Sequence, residues 1–229
     1  VARAAPSGSP GTAQNGVIAL YTAGTSPTSG ATPLAWMGQY QITTFEALAF
    51  SYTYTQPSPS DALVELNCAS DPGYRFGAMP NGPRTSAQLG PGNNVYVKYT
   101  QTGVSTPAGA TAGAFNSGKY SVGYVETTIF SIDDATGLIT TKWVNPDGTV
   151  PPSLYHIIYA SSLYLTGDVN QFLAQTGATM DIIKIVVRIF SSPFFFFCSS
   201  GCARVLTRAI QDMYYVEPEP TSITGTVVY

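Results

Sequence analysis

Residues 181–190 read DIIKIVVRIF, a run that leaves a backbone little choice. Ile183, Ile185, Val187 and Ile189 recur at every second position, so in an extended chain they form one unbroken β-branched face. At about 3.3 Å per residue such a strand spans roughly 33 Å, long for a globular protein. Its other parity carries Ile182, Lys184, Val186, Arg188 and Phe190. The apolar stretch continues to Cys198, but Lys184, Arg188 and Pro193 interrupt it well before the roughly 20 residues that a membrane span needs.

The same alternation recurs along the chain. Within residues 45–54, Leu48, Phe50, Tyr52 and Tyr54 share one face, and small residues occupy the other. Ala62, Val64, Leu66 and Cys68 alternate with Leu63, Glu65 and Asn67; further on, Val95, Val97 and Tyr99 align. A long strand is expected over 120–130. Asp133-Asp134-Ala135-Thr136-Gly137 then turns the chain into a strand over 138–144, and Asn145-Pro146-Asp147-Gly148 turns it again. Residues 154–165 supply one interrupted strand or two short ones. Val169, Phe172 and Leu173 sit at helical spacing between Gly167 and Gly177, where a short helix is expected. The class is all-β with little helix: an eight- to ten-stranded antiparallel β-sandwich, read as a jelly roll.

Composition agrees and narrows the chemistry. Only 10% of the 229 residues are charged and the net charge is −3, whereas 44% are hydrophobic, so the chain is not disordered. The single histidine, His156, excludes a multi-histidine metal centre within one chain. Three cysteines (Cys68, Cys198, Cys202) are too few for a disulfide framework and leave at least one unpaired, which suits a reducing compartment. Residues 1–16 read as a flexible arm, 17–229 as one domain, and 101–118 as a long loop between strands. The chain does not open on Met, and its first residues lack the apolar core of a signal peptide.

Pro193-Phe194-Phe195-Phe196-Phe197 is the least ordinary feature. Neighbouring residues of a strand point to opposite sides, so four consecutive rings do not all enter one sandwich core. The remainder need a second apolar surface, either an arm of the same chain or, as preferred here, another subunit. Phe194, Phe195, Phe196 and Phe197 are therefore the candidate subunit interface, and sparse charge fits a permanent contact.

Two stretches carry a family resemblance. The first runs from Tyr40 through Phe45, Leu48, Phe50 and Tyr52, a Pro/Ser-rich link and Ala62-Leu63-Val64-Glu65-Leu66 to Asp71-Pro72. The second joins Leu163-Tyr164-Leu165-Thr166-Gly167-Asp168 to the strand ending at Phe190. Together they resemble the jelly-roll shell domain of coat proteins from small icosahedral positive-strand RNA plant viruses, the tombusvirus-like and ourmiavirus-like group. The resemblance implies a viral capsid protein with no active site. It would self-assemble into an icosahedral shell around genomic RNA in the host cytoplasm and reside in the virion. The chain departs from that group in its N-terminus, where Arg3 stands alone in place of an arm dense in Arg and Lys, and in lacking a recognisable cluster of calcium-binding carboxylates. A basic arm upstream is one expectation that follows.

Other candidates have two readings each. Lys184 and Arg188 lie four apart on one strand face and, with Arg3, are the candidate RNA contacts, since cations release counterions from nucleic acid. The plainer reading, preferred here, is a half-exposed face at an edge or contact. Asp133 and Asp134 offer oxygen ligands to an inter-subunit Ca²⁺, the one cofactor considered, against an ordinary turn, which is preferred; Asp147 reads as turn chemistry. His156 lacks a GxSxG nucleophile elbow and reads as a structural, hydrogen-bonded histidine. The rival function is a secreted carbohydrate-binding sandwich in which exposed Tyr and Trp, among them Trp36 and Trp143, stack on sugars; a hydrolase on the same fold rests on analogy alone.

Overall fold

The computed structural model describes residues 11–25, 31–38, 41–45, 50–55, 62–80, 87–113, 123–177 and 181–189. Every described residue lies within the first of two units, Val1–Ser192.

Among the described residues, twelve strands and one helix follow in chain order: β1 (Ala13–Thr22), β2 (Ala35–Met37), β3 (Ile42–Thr43), β4 (Ser51–Thr55), β5 (Leu66–Cys68), β6 (Arg75–Pro80), β7 (Tyr96–Thr102), β8 (Phe130–Ile132), β9 (Leu138–Thr141), β10 (Tyr155–Tyr159), β11 (Ser162–Thr166), α1 (Val169–Thr176) and β12 (Asp181–Ile189). The all-β class is as expected. The count exceeds eight to ten because short pieces such as β2, β3, β5 and β8 pair separately.

All pairings are antiparallel, and eight strands close on themselves in the order β1-β4-β5-β6-β7-β11-β10-β12 and back to β1. Closure removes the free edges that an open sheet leaves. It works because β1 and β12 each share one edge between two partners. Residues 13–17 of β1 pair with β4, and Ala19 and Leu20 pair with β2. Likewise 181–183 of β12 pair with β10, and Ile185 and Val186 pair with β9. The result is a barrel-like sandwich with the hairpins β2–β3 and β8–β9 branching from it. A jelly roll requires two Greek keys, a finer statement than this order, with its consecutive β4-β5-β6-β7 meander, establishes.

Two boundaries differ from expectation. Ala13 and Gln14, assigned to the arm, pair with Thr55 and Tyr54, so β1 starts inside that stretch. Of the long strand expected over 120–130, the described residues 123–129 form no continuous strand, and β8 starts at Phe130. Before it, Val125 and Glu126 make isolated bridges to Gly113 and Ala78. Successive residues there meet different partners, so no continuous ladder forms.

Alternation fills the interior. Tyr52, Tyr54, Val64, Leu66, Cys68, Val97, Tyr99, Ile183 and Ile185 all enter one core, as their spacing implied, and Ile18 and Leu20 join them. Phe76 is its hub: the ring centre lies 5.1 Å from Tyr99, 5.4 Å from Phe130 and 5.5 Å from Tyr52. Outside the barrel, α1 packs through Phe172, which is wholly buried against Tyr96, Tyr159 and Tyr164. Asp168 caps this helix by accepting the Gln171 N–H, and Gly177 ends it at φ +63°.

Candidate functional site

The outer face of the β1–β12 pair is where the sequence placed a basic contact. Its register sets Tyr21 opposite Lys184, Ala19 opposite Val186 and Val17 opposite Arg188. Lys184 and Arg188 do share this face, but between them lies a second apolar cluster of Val17, Ala19, Tyr21, Trp36 and Val186, all buried. Arg188 donates from Nε to the Tyr21 hydroxyl at 2.7 Å, and its other guanidinium nitrogen donates to the same oxygen. The guanidinium carbon also stands 5.1 Å from the Tyr21 ring centre, a cation–π geometry. Arg188 is thereby held against its own sheet, which favours the plainer reading of that residue. Lys184 is half-buried, with no ion pair among the described residues. Arg3 and Phe194–Phe197 lie outside the described residues, as do Cys198 and Cys202.

The aspartates form turns. Asp133 Oδ1 accepts both the backbone N–H and the hydroxyl of Thr136, which holds its carboxyl below the ordinary range. Asp147 Oδ1 does the same with Thr149, with the same effect, and Oδ2 accepts from Gln88. Asp134 is unlike them, with Oδ1 buried and without a hydrogen-bond partner. Among the described residues no group of three His, Cys, Asp or Glu is placed to hold a metal.

His156 lines a cleft of about 200 Å³ together with residues 140–142 and 150–154. The Thr141 hydroxyl stands 3.1 Å from its Nε2 and 2.8 Å from the Tyr99 hydroxyl, so the three form one buried chain. Burial pushes the imidazole down to about 4, leaving it neutral at ordinary pH, and burial raises the Tyr99 phenol as well. A neutral histidine hydrogen-bonded to a threonine lacks the carboxylate that orients a catalytic base. Its geometry is that of a structural group. Trp143, a candidate sugar platform, is fully buried and donates Nε1–H to the Ala87 carbonyl at 2.9 Å; Trp36 is 8% exposed. Neither indole face is open for stacking.

Two polar arrangements went unread in the sequence. Glu65 accepts from Arg75 at 2.9 Å, from Ser105 at 2.6 Å and from Thr127 at 3.1 Å, gathering three segments around the one ion pair among the described residues. Glu126 is completely buried, and its Oε2 accepts the Val144 N–H at 3.1 Å. The only signal for it was a lone charge within an apolar run.

No protein-family model, curated protein or solved structure matches this chain. No helix among the described residues is long and apolar enough to cross a membrane.

Proposed function

We propose that this chain is a viral coat subunit that assembles into a small icosahedral shell around an RNA genome. One observation carries the reading. Phe194–Phe197 are four consecutive rings, and neighbouring residues of a strand point to opposite sides, so one sandwich core does not take them all and the remainder need a second apolar surface. Each ring fully buried contributes about 1.5–3 kcal/mol, so copies that cover one another gain substantially. The sparse charge and the closed, edge-free barrel support a structural role: a rigid unit supplies shape, and apolar contacts supply cohesion. Genome contact falls to Lys184, to Arg3 and to any basic segment upstream, because Arg188 is already engaged. The carbohydrate-binding alternative loses its two tryptophan platforms, both of which are buried.

The test is the size of the purified full chain by gel filtration and negative-stain microscopy. Particles hundreds of ångströms across are expected. The double variant Phe195→Ser, Phe196→Ser should keep the strand-rich circular dichroism of the wild type yet form no particles. A wild-type chain that stays monomeric at high concentration, or a double variant that assembles normally, would overturn the reading.

A further inference from the structure

Glu126 is sealed where three segments meet. Its backbone exchanges two hydrogen bonds with Ala78 on β6, at 2.9 and 3.0 Å. On one side Val125 exchanges two with Gly113, both at 3.1 Å. On the other, Thr127 and Thr106 each accept the other's N–H at 2.8 Å through the hydroxyl. Gly77 presses on the same stretch: a Cβ there would lie 2.8 Å from the Glu126 carbonyl oxygen. The side chain reaches the 143–145 segment through Val144, while Oε1 is buried with no hydrogen-bond partner.

Among the described residues no cation answers this carboxyl. On β6 the charged residue is Arg75, which is paired with Glu65. Beside Val144 it is Lys142, which is exposed; residues 104–113 carry no charged group, and the flanking stretch offers only Tyr124. Burial raises the carboxyl to about 8, while the Val144 and Ala112 amides draw it back in part. An ionised carboxylate answered only by neutral amide donors does not remain dry, because its desolvation is uncompensated. The contacts that release most readily are the isolated bridges at Val125 and Glu126, since no continuous ladder backs them.

We propose that Glu126 is a proton-held latch: while its carboxyl is neutral the seam between residues 123–127, β6 and 143–145 stays shut, and losing the proton opens that seam while the barrel remains folded. The latch belongs to the single chain and operates whether or not copies assemble.

The test uses the full chain. Carboxyl carbons are followed by NMR against pH, and amide exchange is followed by mass spectrometry at pH 6.5 and 9, corrected for the intrinsic rate. The Glu126 carboxyl should titrate near 8. Protection over 123–127 and 143–145 should fall about tenfold at pH 9, one unit above that midpoint, while β1 and β12 keep theirs. Glu126→Gln, neutral at every pH, should keep the seam protected. Titration in the ordinary carboxylate range, loss of protection throughout the barrel, or an equal loss in Glu126→Gln would each overturn the latch. The titration is read on the wild-type chain, so it decides even where the variant fails to fold.

Discussion

A Cβ placed on Gly167 would lie 2.3 Å from the backbone nitrogen of Gly90 and 2.6 Å from its Cα, so the end of β11 and the loop before β7 touch backbone to backbone. Asp168 secures the contact by accepting the Gly92 N–H at 2.8 Å while it caps α1. Neither chain has room to yield at that separation, because the clash is with backbone and not with a flexible side chain. Gly167→Ala should therefore cost about 3 kcal/mol, the upper range for overpacking. Urea denaturation measures it, and a midpoint close to wild type would show that the two segments separate easily.

Asn145 pairs with Leu89 as a neighbouring strand would. Its Oδ1 accepts the Leu89 N–H at 2.8 Å, and its Nδ2 donates to the Leu89 carbonyl at 2.9 Å. With the Trp143 indole donating to Ala87, two side chains satisfy the backbone of a segment that belongs to no ladder. Asn145→Ala strands two buried backbone groups, each worth about 1–3 kcal/mol when unsatisfied. A loss of about 3 kcal/mol is expected. Asn145→Asp, which keeps the acceptor and loses the donor, should fall between wild type and Ala in the same urea titration.

The β10–β11 hairpin turns through Ala160 and Ser161, both at positive φ, +47° and +57°. Two left-handed residues in a two-residue loop define a type I′ turn, for which Asn-Gly is the favoured sequence. Neither alanine nor serine favours that conformation. The neighbouring contact from the Ile42 N–H to the Ser161 carbonyl, at 3.1 Å, uses only backbone and survives substitution. Ser161→Gly should raise stability by up to about 1 kcal/mol, visible as a rise of several degrees in Tm. An unchanged or lower Tm would mean that the serine hydroxyl contributes more than the strain removes.

Two buried groups give stability an opposed pH dependence. His156 is lowered from 6.5 to about 4, so the unfolded chain binds its proton first, and stability is lost as pH falls from 6.5 towards 4. Glu126 is raised from 4.5 to about 8, so the folded chain holds its proton longer, and stability is lost as pH rises from 4.5 towards 8. Between 4.5 and 6.5 the two slopes cancel, leaving a plateau. From 6.5 to 8 Glu126 acts alone and removes about 2 kcal/mol. His156→Gln should turn the plateau into a rise towards acid pH, and Glu126→Gln should flatten the alkaline side. Denaturation midpoints across this range measure both. A wild-type chain most stable above pH 8 contradicts the assignment.

The amino-acid pattern alone determined the class of this protein and most of its core. Period-two runs placed Ile183 and Ile185, Tyr52 and Tyr54, and Val97 and Tyr99 in the interior, because β-branched and aromatic residues at alternate positions have one economical way to leave water. The spacing of Val169, Phe172 and Leu173 likewise announced α1, since helical periodicity depends only on neighbours along the chain. What the pattern did not carry is whatever depends on residues distant in sequence meeting in space. The sharing of β1 and β12 edges, which closes the barrel, depends on where β2 stops and β4 starts on the same edge. Arg188 reads as a free cation until Tyr21, 167 residues away, is found beneath it. Glu126 stands out in the sequence only as a lone charge, and it is the tertiary structure that closes Ala78, Gly113 and Val144 around it. Local periodicity reports which face of a strand is apolar; only the folded barrel decides which charges are left without water.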